Sequence, residues 1–181
     1  MLRVTGQSTQ GLAKRNYALV QVLLQTGLRV GELATLKISD FTLYERSGWV
    51  RVVDGKGRRQ REVPLNATAR RAMAAYLATR PELQSSDCAF LSLRQKPPSI
   101  RSIQKLITSL ARRAKLTRIR VTPHTLRHTF ASSFLKDNPG KLVELASLLG
   151  HESLDTTAVY TKASRESLAE DVERSRFNVP G

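Results

Sequence analysis

Cysteine is almost missing from this chain of 181 residues: Cys88 stands alone, so no internal disulfide can form. That usage fits a reducing compartment and sets the expectation of a cytoplasmic protein. Cys88 lies in the apolar run DCAFLS and is expected to be a small core residue rather than a nucleophile. Long apolar runs are missing as well. None approaches the ~18 residues of a membrane span, and the N-terminus carries no signal-peptide pattern. Acidic residues are scarce, with 15 Asp+Glu against 30 Lys+Arg and a formal net charge of +15. Such an excess favours an anionic polymer as partner, although a solvated basic surface or a ribosomal type of protein would carry it too. Aromatics are few, and only four are tyrosines, which narrows the search for a phenolic nucleophile. Internal repeats, low-complexity tracts and a linker between domains are also lacking.

What is present suffices for one compact domain. Hydrophobic residues make up 40% of the chain, and folding at this length buries roughly 70% of the unfolded surface. Residues 11–26 read as a helix whose stretch 17–24 is apolar and expected to be deeply buried. Gly27 breaks it, and residues 28–36 begin a second short helix with Arg29 and Glu32 three apart on one face. Three β-type runs follow, at 41–44, 49–53 and 61–63, separated by turns at Ser47-Gly48 and at residues 54–57. They predict a small antiparallel sheet. Residues 67–79 and 101–115 are amphipathic helices. The second turns Ile103, Leu106, Ile107 and Leu110 inward, and its outer side carries Arg101, Lys105, Arg112 and Arg113, with Arg118 and Arg120 following. Residues 141–149 predict a short helix ended by Gly150, and 164–176 a last charged helix. The fold class expected is α+β, mainly α-helical with a three-stranded antiparallel sheet.

The densest chemistry lies between Thr122 and Tyr160. Pro123 suits the first turn of a helix. His124, Arg127 and His128 then fall at i, i+3 and i+4 on one face, with Leu126, Phe130 and Phe134 on another, expected to be core. The helix is thus expected to carry an imidazole and a guanidinium out of a packed base. A guanidinium beside imidazoles suits a phosphate oxygen, because arginine offers a planar fork of donors and a permanent charge. Leu149-Gly150-His151 follows, and Tyr160 lies nine residues after His151. Tyr17, Tyr44 and Tyr76 sit in apolar or β-type runs and read as core or sheet packing. A zinc site is the sharpest rival, since His124 and His128 mimic the spacing of H-E-x-x-H. Position 125 is threonine, however, and no carboxylate or cysteine stands near in sequence; no metal or other cofactor is expected.

At HTLRHTF, LLGHES, TAVYT and the upstream TGLRVGEL the chain resembles the tyrosine recombinase (phage integrase) family, over residues 11–163. The resemblance implies the catalytic-domain fold of that family and cutting and rejoining of DNA through a 3′-phosphotyrosine intermediate, without metal or ATP. It implies Tyr160 as nucleophile, Arg29 and Arg127 as the clamp on the scissile phosphate, and His124 as proton acceptor or phosphate ligand. His151 would donate a further hydrogen bond, and Lys56, in the basic turn with Arg58 and Arg59, would be the general acid. Glu32 would brace Arg29, and His128 would be a structural hydrogen-bonding neighbour. Arg58, Arg59, Arg101, Lys105, Arg112, Arg113, Arg118 and Arg120 are candidate contacts to double-stranded DNA. Residues 1–181 are expected to form a single catalytic domain with a core at 11–163 and a tail at 164–181, lacking the N-terminal DNA-binding domain usual in the family. A tetramer on DNA, a tail docked on a neighbouring protomer, and a bacterial or phage-encoded, nucleoid-associated setting on a mobile element complete the expectation. Two other readings stay open: relaxation of DNA in the manner of a type IB topoisomerase, and a non-catalytic DNA-binding regulatory module.

Overall fold

The computed structural model describes residues 9–53, 60–80, 82–116 and 118–151. Among the described residues, six α-helices and three strands follow one another as α1 (Thr9–Thr26), α2 (Val30–Thr35), a 3-10 turn at Ile38–Asp40, β1 (Phe41–Leu43), β2 (Gly48–Val53), β3 (Gln60–Pro64), α3 (Ala67–Leu77), α4 (Ile100–Arg113), α5 (Pro123–Asp137) and α6 (Leu142–Leu149). The sheet is antiparallel in the order β1-β2-β3, with Thr42 opposite Trp49 and Val50 opposite Val63. The class read from the sequence, mainly helical with three antiparallel strands, is the one observed.

α1 is the axis of the packing: it lies against α3 on one side and α5 on the other. Its inward stripe, Ala18, Leu19, Val22 and Leu23, is fully buried at helical spacing. Val50, Val52 and Val63 from the sheet, Met73 and Tyr76 from α3, and Ile103 and Ile107 from α4 close the same core. Tyr17 departs from expectation, being 53% exposed. It falls outside the 18–19–22–23 stripe, so periodicity overrides the apolar composition of its neighbourhood. Tyr44 is exposed too and meets Trp49 edge to face. Tyr76 is buried and stacks on Phe90, as core packing requires. Cys88, expected in the core, is only half-buried and forms a single bridge to Lys37.

A second, smaller cluster joins α5 to α6, with Ala131, Leu145 and Leu149 buried and Phe130 and Phe134 against them. Leu126, by contrast, packs on the main core. The turn after α1 packs on this cluster. Gly27 has φ +65, and a Cβ there would lie 2.4 Å from Phe130 Cδ1 and 2.8 Å from Leu149 Cδ2. Only glycine allows both the backbone and the approach. The end of α6 is similar: Gly150 caps it at φ 66, in the left-handed conformation expected for it.

Candidate phosphate-binding cleft

The start of α5 follows from its capping. Thr122 Oγ1 accepts from the Thr125 backbone N–H, Thr125 Oγ1 accepts from the Thr122 N–H, and Pro123 occupies the first turn. This fixes where His124 and Arg127 leave the helix. Arg127 is not carried outward, as expected from sequence; it is buried, 6% exposed. Its Nη1 donates to the Gly27 carbonyl at 2.6 Å and its Nη2 to the Leu149 carbonyl at 3.0 Å. Nη2 also lies 2.8 Å from His151 Nε2. A buried guanidinium needs such partners to offset lost hydration. The carbonyl dipoles orient the group without cancelling its charge.

Arg29 stands just before α2. Its backbone N–H donates to Glu32 Oε2 at 2.7 Å, its Nη1 to Glu32 Oε1 at 3.3 Å, and its Nη2 to the Gly150 carbonyl at 3.4 Å. The bracing of Arg29 by Glu32 is thus direct. Leu28, Arg29, Val30, Pro123, His124, Arg127 and His151 line one cleft of about 400 Å³. Four sequence-predicted site residues, Arg29, His124, Arg127 and His151, therefore meet from three separate stretches of chain. The cleft wall holds two arginines and no carboxylate among the described residues, a charge balance that suits an anion. Burial, followed by the positive charges of Arg127, Arg29 and Arg61, pushes the His151 imidazole below its ordinary range.

His128 is absent from the cleft. Its Nδ1 is 3.3 Å from Ser132 Oγ, one turn along the exposed side of α5. The i, i+3, i+4 spacing set it on the same face as His124 and Arg127, but burial of Arg127 rotates His128 toward solvent. Among the described residues no group of three or more His, Cys, Asp and Glu comes together in metal-binding fashion. Arg101, Lys105, Arg112 and Arg120 share a separate groove of about 360 Å³ on α4, whereas Arg113 and Arg118 lie outside it. Lys56, Arg58, Arg59, Tyr160 and the tail 164–181 lie outside the described residues.

One residue escaped the sequence reading. Arg61 on β3 reaches Glu32 with both terminal nitrogens, Nη1 to Oε1 and Nη2 to Oε2, each at 2.9 Å. Its Nε donates to the Leu148 carbonyl at 2.8 Å. Burial alone would raise the Glu32 pKa, but the hydrogen bonds from Arg61 and the Arg29 N–H, with both arginine charges, outweigh it and hold the carboxyl below its usual range. The signal for Arg61 was strand alternation: it shares the inward side of β3 with buried Val63, and an inward-facing arginine demands a partner.

The chain belongs to the phage integrase family, whose model matches residues 4–167. It is similar to the tyrosine recombinase XerC of Bacillus licheniformis, 36% identical over 163 residues that make up 87% of this chain and 52% of the relative. The XerC of Pelotomaculum thermopropionicum is 37% identical over 181 residues, 95% of this chain and 57% of the relative. Among solved structures, the XerA recombinase crystal structure superposes with a TM-score of 0.76 at 38% identity, covering 91% of this chain and 58% of that one. The XerH site-specific recombinase bound to its difH substrate, in a pre-cleavage complex, gives 0.78 at 27% identity and covers 94% and 49%. The chain thus spans about half the length of the curated relatives it matches.

Proposed function

We propose that this chain is the catalytic domain of a site-specific DNA recombinase or integrase that cuts and rejoins double-stranded DNA through a 3′-phosphotyrosyl link. The observation that carries the reading is the convergence of Arg29, His124, Arg127 and His151 on one cationic cleft. Family membership and the DNA-bound state of the XerH relative support it.

A phosphodiester is cut without a metal if a nucleophile attacks in line, charge on the non-bridging oxygens is stabilised and the leaving oxygen is protonated. Arg29 and Arg127 clamp the phosphate and stabilise the transition state. His124 accepts the proton of the attacking phenol, whose unperturbed pKa near ~10 keeps it neutral otherwise. His151 donates to a phosphate oxygen. Tyr160 is the nucleophile and Lys56 the acid that protonates the 5′-oxygen; both assignments rest on the motif. The bond from phosphorus to tyrosine replaces the bond to the 5′-oxygen, so the ester is conserved and a 5′-hydroxyl of another strand can reverse the step. No external energy source is required. The working assembly is a homo-oligomer on DNA, with residues 164–181 docked on a neighbouring protomer, and residues 1–181 act as one catalytic unit.

The test is incubation with nicked duplexes of randomised sequence, where loss of the short strand traps the covalent adduct. Wild type forms adduct, and Tyr160→Phe binds DNA equally but forms none. Adduct from Tyr160→Phe sinks the assignment. Relaxation of supercoils without exchange between two sites would support a topoisomerase-like activity instead, and binding with no adduct at all a regulatory module.

A further inference from the structure

We propose that Arg61 is a positioning residue of the cleft, fixing Glu32, and through it Arg29, to the turn that carries His151. The inference rests on the recombinase reading for its meaning but on β3 geometry for its evidence. Arg61 spans two elements with one planar group. Its two terminal nitrogens grip both oxygens of Glu32, whose other bonds go to the backbone and side chain of Arg29. Its third nitrogen holds the Leu148 carbonyl at the end of α6. A fork matched to a carboxylate leaves little rotational freedom on either side. The pair is largely shielded, with 16% of the Arg61 side chain and 11% of the Glu32 side chain exposed.

Gly150 gives a second, independent observation. A Cβ at that position would lie 2.7 Å from Arg61 Nη1 and 2.9 Å from its Cζ. The guanidinium therefore packs closely on the turn, where the left-handed φ of Gly150 favours glycine and a larger residue would displace Arg61. Arg29 closes the ring from the far side through the Gly150 carbonyl. Arg61 itself does not line the cleft, so it acts through the residues that do. A lysine could keep one bond to Glu32 but not the fork together with the Leu148 carbonyl.

Two measurements on the full chain test this. The first follows the His151 imidazole nitrogens by NMR through a pH titration, with assignment by His151→Gln. In Arg61→Met the midpoint moves up toward the ordinary imidazole range, and Arg61→Lys shifts it less. The second measures single-turnover cleavage on the best-cut nicked duplex. A 1 Å displacement of reacting groups costs on the order of 10²-fold in rate, so Arg61→Met loses about that much at saturating DNA while its half-saturating DNA concentration stays put. The double variant Arg61→Met/Glu32→Gln is no slower than the slower single variant, because the two act as one unit. Rate losses that multiply, or a His151 midpoint and cleavage rate both unchanged, overturn the proposal. If Arg61→Met does not fold, Arg61→Lys carries both readouts. A wild-type chain that makes no adduct defeats the recombinase reading alone, and the NMR titration then decides the placement of Arg61 by itself.

Discussion

Arg127 Nη2 sits 2.8 Å from His151 Nε2, and this contact fixes the state of the imidazole. A guanidinium has donors only and does not lose its proton, so Nε2 must be the acceptor. His151 is therefore neutral, with its proton on Nδ1.

The first prediction concerns pH. Folding lowers the proton affinity of His151, so the unfolded chain takes up that proton first as pH drops. Stability is then full above the ordinary imidazole value of about 6.5 and is lost as pH falls through it toward the lower folded value. Urea unfolding between about pH 7.5 and 5.5 is expected to show this decline in wild type and a flatter profile in His151→Gln. Equal slopes would mean that His151 titrates normally.

A second prediction tests the turn under the cleft. Gly27→Ala forces a left-handed alanine and drives its methyl into Phe130 and Leu149. Destabilisation of roughly 2 kcal/mol or more is expected. Phe130→Leu in the same chain should recover part of it by opening space, leaving the backbone share. Denaturant midpoints of the three variants decide the matter.

A third prediction separates acid from charge stabiliser. Lys56→Ala and Arg127→Ala are both expected to be slow on ordinary DNA, the latter by ~10²-fold or more. A sulfur in place of the bridging 5′-oxygen leaves as a thiolate and needs no proton. Cleavage of that substrate should recover strongly in Lys56→Ala and stay slow in Arg127→Ala. Equal recovery would reassign the acid, with Arg58 and Arg59 examined next.

The fourth prediction uses salt. Arg112 lies in the α4 groove with Arg101, Lys105 and Arg120, and Arg113 does not. Each phosphate neutralised contributes about 0.9 to the log–log slope of DNA affinity against salt. Arg112→Gln should reduce that slope by about this amount and Arg113→Gln should leave it unchanged. Equal effects would place the backbone track elsewhere.

Most of the fold was legible because period and punctuation agreed. α1, α3, α4 and α5 begin or end within a few residues of their caps and breaks, and Gly27 and Gly150 end helices where a break and a cap were expected. Tyr17 was misread because composition was weighed above helical phase. That Arg29, His124, Arg127 and His151 would stand together was legible through the spacing of known motifs. Burial of Arg127 was not, since it depends on carbonyls of Gly27 and Leu149, each far away in sequence. Arg61 was hidden for the same reason: its partners belong to α2 and α6, and local pattern shows only an arginine on a strand.

The tethers that shape the cleft run over long stretches of chain: 100 residues from Arg127 back to Gly27, 87 from Arg61 to Leu148, and 121 from Arg29 to Gly150. During synthesis Arg29 leaves the ribosome well before the carbonyl that steadies it has been made. Until α6 and His151 have emerged, these guanidinia have only their Glu32 and Gly27 partners. A product ending before α6 would therefore lack the Leu148, Leu149 and Gly150 carbonyls and the His151 imidazole that hold Arg61, Arg127 and Arg29 in place.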